Sequence, residues 1–224
     1  MNNIKYHYDL EQGTDEWLQI RCGLLTASEM KLIITPSLKI AKNDKQKMHL
    51  YELMAQRITN YTEPTYINDA MLRGNEDEIL ARDKYTREIT EVKECGFITN
   101  DKWGFKLGYS PDGLVDENGL IEAKSRVQKH QFKTICEGKV PKEFILQIQT
   151  GLLVSERKWC DFISYCGGAP WKVIRMYADD EIQSAIIEVS TEFHNTLEDK
   201  IKIYKEMNLT PTERVIQEEY GEIV

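Results

Sequence analysis

Paired cysteines are missing from this chain. Its five cysteines (Cys22, Cys95, Cys136, Cys160 and Cys166) are odd in number and show no C-x-x-C spacing. That speaks against a disulfide framework and leaves reduced thiols as the ordinary reading. Histidines are equally sparse: His7, His49, His130 and His194 are scattered, so the ligand spacing of a Cys/His zinc site is absent. No apolar run approaches the ~18–20 residues that span a bilayer. Met1-Asn2-Asn3-Ile4-Lys5-Tyr6 lacks the apolar block of a signal peptide, and a cytoplasmic protein is expected. Excess positive charge is missing too. With 29 Lys and Arg against 37 Asp and Glu the net charge is −8, which argues against nucleic-acid binding through bulk charge alone. It leaves room for carboxylates that hold a metal and for a local Lys/Arg track that grips phosphate. Repeats and low-complexity linkers are lacking. One domain is therefore expected over the 224 residues, with a core from about 9 to 207 and a peripheral tail from about 208 to 224.

What is present is a change of pattern along the chain. Helical spacing is read over Thr14–Ile20, from the hydroxyls at Thr26-Ala27-Ser28-Glu29 to a stop at Pro36, over Lys45–Ile58, and over Asn68–Tyr85 with Met71, Leu72, Ile79, Leu80 and Tyr85. Short, turn-bounded runs at Val92–Thr99, Phe105–Tyr109, Gly113–Val115 and Leu120–Lys124 read as strands. Gln128–Glu137 and Glu143–Val154 return to helix, Trp159–Tyr165 and Trp171–Tyr177 to strand, and Asp180–Met207 to a long helix. This order implies an α/β (α+β) domain, a central mixed β-sheet flanked by helices.

Chemistry concentrates in one hairpin, Ser110-Pro111-Asp112-Gly113 followed by Glu122-Ala123-Lys124. A two-residue Asn118-Gly119 turn would put Asp112 on the face opposite Glu122 and Lys124. A three-residue loop, Glu117-Asn118-Gly119, with Gly119 left-handed, pairs Asp116 with Leu120 and sets Asp112 across from Lys124 and Glu122 across from Leu114. The second register is expected, because it gathers 112, 114, 122 and 124 on one face; a kink at Pro111–Gly113 is another route to the same end. Two carboxylates this close repel unless a cation lies between them, and magnesium, which prefers oxygen ligands, suits that place. Such a metal can polarise a scissile phosphate and lower the pKa of a water, while Lys124 orients that water or stabilises developing charge. The competing reading is a surface hairpin whose Glu and Lys alternate with buried Ile121 and Ala123. A third carboxylate is expected from Arg73-Gly74-Asn75-Glu76-Asp77-Glu78, where Gly74 permits close approach to another backbone or to DNA. Spacing alone decides weakly among Glu76, Asp77 and Glu78.

These segments resemble the lambda-type phage exonucleases, the viral alkaline or recombination exonuclease branch of the PD-(D/E)xK nucleases. The matching residues are Glu11-Gln12-Gly13-x-x-x-Trp17, Arg21-x-Gly23-x-x-Thr26-Ala27-Ser28-Glu29, Gly74-x-x-x-Glu78, Ser110-Pro111-Asp112-Gly113-Leu114, Ile121-Glu122-Ala123-Lys124 and Gln147-Ile148-Gln149. They run in family order over roughly residues 9 to 155, about two thirds of the chain. E-x-K and Q-x-Q are weak alone; the ordered set is specific.

The resemblance implies a restriction-endonuclease-like core and a magnesium-dependent enzyme, with one or two ions and manganese as an expected substitute. Its activity would be 5′→3′ digestion of one strand of linear double-stranded DNA to mononucleotides, leaving a 3′ tail for a recombinase or single-strand annealing protein. It makes Asp112, Glu122 and the Ala123 carbonyl metal ligands, Lys124 the catalytic lysine and Glu78 the helix-borne acid. Arg21, Ser28, Ser110 and Gln147 match positions that recognise the terminal 5′-phosphate, and a guanidinium with hydroxyls near a helix start is suitable anion chemistry. An aromatic usually precedes the Q-x-Q, a place Phe144 would fill. Family members commonly form a ring-shaped homotrimer, and a phage-encoded member would act in the bacterial host cytoplasm. Arg126, Lys129 and Lys133 form a basic stretch that can track a DNA backbone or simply be a solvated helix face; Trp103 and Trp171 are expected in the core rather than stacked on bases. Two other readings remain at this point, an endonuclease or single-strand-directed repair nuclease on the same core, and a non-catalytic DNA-binding module.

Overall fold

A computed structural model of the chain describes residues 3–64 and 69–214; the expected helix start at Asn68 and the far end of the tail lie outside the described residues. Among the described residues, two four-stranded sheets, not one central sheet, carry the fold. The first has the order β1-β3-β4-β2 and contains β1 (Ile4–His7), β2 (Leu25–Thr26), β3 (Phe97–Asn100) and β4 (Leu107–Tyr109). The second runs β5-β6-β7-β8, from β5 (Gly113–Val115), β6 (Gly119–Ser125), β7 (Trp159–Tyr165) and β8 (Lys172–Tyr177). Both are mixed, since β2 is parallel to β4 and β6 is parallel to β7. The division has a local cause. Between β4 and β5 the chain passes through Ser110-Pro111-Asp112, and proline has no N–H to give to a ladder. The strand expected over Val92–Thr99 is likewise divided, with Lys93 bridging to Leu114 of the second sheet and Phe97 onward joining the first. Gly96 marks the break: a Cβ there would lie 1.9 Å from the Leu10 carbonyl oxygen.

The helices follow the apolar periodicity closely. They are α1 (Asp15–Arg21), α2 (Met30–Ile33) after a 3-10 turn at Ala27–Glu29, α3 (Asp44–Thr59), α4 (Asp69–Glu88), α5 (Gln128–Glu137), α6 (Lys142–Ser155) and α7 (Asp180–Glu206). Among the described residues, side-chain caps start three of them: Thr14 accepts from the Trp17 N–H, Asn43 from Gln46 and Asp179 from Ile182. The main core gathers β4, α2, α6 and α7 around Met30, Leu107, Ile148, Phe162 and Phe193. A smaller one lies on the opposite face of the second sheet, where α4 lays Ala81 and Tyr85 on Val115, Ile121, Ala123 and Ile163. Leu72, Ile79 and Leu80 of α4 are about half exposed, because its sheet-facing stripe is Asp77, Ala81 and Tyr85, spaced four apart.

The hairpin register differs from the expected one. Val115 pairs with Gly119, Leu114 with Leu120 and Gly113 with Ile121, so the three-residue loop is Asp116-Glu117-Asn118 and its left-handed residue is Asp116, with φ 47°. Gly119 is needed for another reason: a Cβ there would sit 2.2 Å from the Trp159 ring. Arg157 Nη1 fixes the loop by donating to the carbonyls of Val115 at 3.2 Å, Asp116 at 3.0 Å and Gly119 at 2.7 Å. The pairing shifts by an even count, so strand alternation still leaves 112, 114, 122 and 124 on one face. Asp112 now falls opposite Glu122 rather than Lys124.

Candidate active site

β6 is covered on both faces, which is why Glu122, though charged in type, has no exposed surface. Its carboxylate is held by hydrogen bonds on both oxygens. The Tyr109 hydroxyl donates to Oε2 at 2.9 Å, Lys124 Nζ lies 2.7 Å from Oε1, and Gln147 Nε2 also donates to Oε1. Lys124 Nζ is further shared with Glu78 Oε1 at 3.4 Å and Asp112 Oδ2 at 3.7 Å. Asp112 stands just before β5 and turns its Oδ2 into the ladder, accepting the Ala123 N–H at 2.6 Å. Of the three candidate acids on α4, Glu78 reaches the cluster. Asp77 instead accepts from the Ser125 hydroxyl, pinning the helix to the end of β6. A Cβ at Gly74 would meet nothing within 4 Å, so the close approach expected there has no partner within the described chain.

Three carboxylates around one ammonium leave the cluster short of positive charge. Burial, then repulsion from Asp112, pushes Glu78 from 4.5 up to about 7 even though Lys124 draws it down. Burial likewise lifts Glu122 to about 7 against the pull of Lys124, with Asp112 adding to the rise. Burial would lower Lys124, but the carboxylates of Glu122, Asp112 and Glu78 outweigh it and hold the ammonium well above its ordinary value. An oxygen-only donor set with uncompensated negative charge suits a hard divalent cation. Among the described residues no three acid, histidine or cysteine side chains close into a ready cage; the Lys124 ammonium stands where the carboxylates converge.

Beside this cluster, across Pro111, lies a second polar group. Arg21 Nη1 donates to Ser110 Oγ at 3.0 Å and Trp17 Nε1 donates to the same oxygen at 3.1 Å. The guanidinium also stacks 4.2 Å above the Trp17 ring, so its plane is set by an aromatic face and a hydroxyl together. With two donors already on its oxygen, the Ser110 hydroxyl keeps its own proton for an incoming acceptor. Gln12 Nε2 donates to the Pro111 carbonyl at 2.9 Å, tying the Glu11-Gln12-Gly13 segment to the same turn.

Ser28 is placed differently. Thr26 gives its proton to Glu29 Oε2 at 2.7 Å, so the 3.2 Å contact between Thr26 and Ser28 oxygens takes its proton from Ser28. Ser28 must release Thr26 before it can donate to a phosphate. Gln147 faces the acid cluster, whereas Gln149 points away and joins the Tyr177 carbonyl at 2.8 Å to the Asp179 N–H at 2.9 Å. Phe144 packs on Phe162 with ring centroids 5.5 Å apart. Arg126 is drawn back onto Glu143 at 2.9 Å and Thr134 at 3.3 Å, Lys133 pairs with Glu137 at 3.8 Å, and Lys129 is exposed on α5. Trp103 packs against the main core and Trp171 against the smaller one.

Tyr109 was missed from sequence. In the run Leu107-Gly108-Tyr109 it looks like any apolar strand residue, and only the approach of β4 to β6 gives its hydroxyl a partner.

The whole chain can be compared with known proteins. Residues 16–158 match the YqaJ-like viral recombinase domain. An alkaline exonuclease (LHK-Exo) from Laribacter hongkongensis superposes with a TM-score of 0.78 at 35% identity, over 87% of this chain and 97% of that one. The chain belongs to the YqaJ-like viral recombinase family. Its resemblance to lambda-type phage exonucleases therefore holds, and with it a nuclease fold of the exonuclease kind. LHK-Exo in complex with dAMP matches equally, with TM-score 0.78 at 34% identity over 87% of this chain and 97% of that chain. A phage-related exonuclease from Haemophilus somnus 129PT shares the fold, with TM-score 0.61 at 14% identity over 83% of this chain and 96% of that one. Among curated proteins no sequence match reaches significance. No helix among the described residues is long and apolar enough to cross a membrane.

Proposed function

We propose that this family member is a magnesium-dependent exonuclease that removes mononucleotides 5′→3′ from one strand of linear double-stranded DNA. The observation that carries the reading is the adjacency of two sites in one stretch: Ser110 sits with Arg21, and Asp112, two residues on, sits in the Glu122–Lys124–Glu78 cluster. A chain end held by the first group presents its neighbouring phosphodiester to the second. The complex of LHK-Exo with dAMP, a mononucleotide, supports a site sized for that product.

In this reading Asp112, Glu122 and the Ala123 carbonyl hold the cation, with Glu78 beside them. A bound divalent ion supplies Lewis-acid polarisation of the scissile phosphate and lowers the pKa of an attacking water. Lys124 orients that water and stabilises charge on the phosphorane as it forms. Arg21 and Ser110 hold the terminal phosphate, with Gln147 and, after its proton leaves Thr26, Ser28 completing the grip. Lys129 is the member of the basic stretch best placed to meet a DNA backbone, since Arg126 and Lys133 are already paired. Following the family pattern, the 3′ tail passes to a single-strand annealing protein or recombinase, and the subunits close into a homotrimeric ring.

The test offers linear duplexes ending in 5′-phosphate or 5′-hydroxyl, and covalently closed circles, with and without magnesium. Rapid, magnesium-dependent loss of the phosphorylated linear duplex alone is the expected result. Closed circles cut at a comparable rate would instead indicate an endonuclease. Arg21→Ala should narrow the preference for phosphorylated ends by roughly tenfold, the scale of one lost charge-assisted hydrogen bond. An unchanged preference, measured as the ratio of initial rates on the two ends, would remove Arg21 from end recognition.

A further inference from the structure

We infer that Tyr109 is a positioning residue that sets the Glu122 carboxylate for divalent-cation binding, and that Gly151 is the residue that lets it do so. The inference rests on the metal-dependent reading above and adds two residues to it. Tyr109 is 1% exposed, on β4 of the first sheet, while Glu122 is on β6 of the second. The phenol therefore spans the seam where Pro111 separates the sheets, and its hydroxyl ends 2.9 Å from Glu122 Oε2. The two carboxylate oxygens are thus distinguished. Oε2 accepts the phenolic hydrogen bond, while Oε1 faces the cationic and amide side chains of Lys124 and Gln147. A carboxylate fixed at one oxygen cannot rotate freely, so the other is presented in one direction. This is how groups behind a metal ligand orient it and tune its affinity.

The room for the ring is made by α6. A Cβ at Gly151 would lie 2.7 Å from Tyr109 Cζ and 2.8 and 2.9 Å from its two Cε atoms. Gly151 lies mid-helix, where glycine is disfavoured relative to alanine by up to ~1 kcal/mol. Its presence there follows from the ring that occupies the space.

Two variants of the full chain separate this from a packing role. Tyr109→Phe keeps the ring and deletes the hydroxyl; Gly151→Ala keeps the hydroxyl and displaces the ring. Manganese is titrated calorimetrically into wild type and each variant, with melting curves and metal-free duplex binding measured alongside. Manganese binding about tenfold weaker in both variants is the expected result, the lower end of what such supporting groups contribute, while metal-free DNA binding is unchanged. A role confined to packing would lower the melting temperature and leave the affinity of the folded protein alone. Affinity within about twofold of wild type in folded Tyr109→Phe overturns the inference. Should that variant not fold, unchanged affinity in Gly151→Ala overturns it instead. A wild-type chain that takes up no manganese would bring down the metal-dependent reading itself, a separate failure.

Discussion

Lys124→Ala is expected to lower turnover at least about 100-fold, the scale of losing one group that stabilises charge in the transition state, while duplex binding and metal uptake survive. The geometry makes the split specific. Lys124 Nζ lies within 3.7 Å of three carboxylates and touches Glu122 at 2.7 Å. Deleting it removes the ammonium that on the proposed reading orients the water, and it also leaves Asp112, Glu122 and Glu78 more negative toward a cation. Metal affinity should therefore hold or rise as the rate collapses. Single-turnover cleavage with magnesium and anisotropy with calcium in its place read the two separately. Residual activity within about tenfold of wild type, roughly 1.4 kcal/mol of barrier, would show that Lys124 is an ion-pair partner and nothing more.

The second large effect is on stability. Glu78 and Glu122 are each raised from 4.5 to about 7 in the folded chain. A carboxyl with a raised folded pKa binds its proton more tightly when folded than when unfolded. Its contribution is complete below about 4.5 and is lost as pH climbs through about 7. The metal-free protein should accordingly lose stability between about pH 4.5 and 7, and magnesium, which needs the deprotonated carboxylates, should restore more of it at the upper end. His7 and His194, lowered chiefly by burial, work in the opposite sense across the lower part of this range. The informative quantity is therefore the magnesium-induced shift in melting temperature, compared between wild type and Glu122→Gln. It should grow with pH in the wild type and flatten in the variant. A shift of equal size at both ends of the range would mean that these carboxyls do not carry the coupling.

Much of this arrangement was legible in the residues because it is local. Gln128–Glu137 and Trp159–Tyr165 coincide with α5 and β7, since alternation and the 3.6-residue period are properties of neighbours in sequence. Asp112, Glu122 and Lys124 could be brought together from strand parity alone, which tolerates an even error in register. The loop itself could not be read. Whether Gly119 turns the chain or packs under Trp159 depends on β7, and the clamp that decides it, Arg157, lies far along the chain. β2 is two residues long and is defined only by its pairing with β4. Choosing Glu78 over Asp77 required knowing that Ser125 stands at the end of β6 to receive Asp77. Ser28 and Gln147 were found by motif, but the partners that now hold their protons come from three-dimensional neighbours.

The proline that parts the two sheets has a metric consequence. Ser110 and Asp112 are two peptide units apart, at most about 7 Å along an extended chain, and each belongs to a different half of the fold. On the proposed reading one grips the end of the strand and the other helps cut it. That short covalent link then acts as a ruler with a single graduation: how far the cut lies from the end is set by the length of Ser110-Pro111-Asp112, not by any property of the bases.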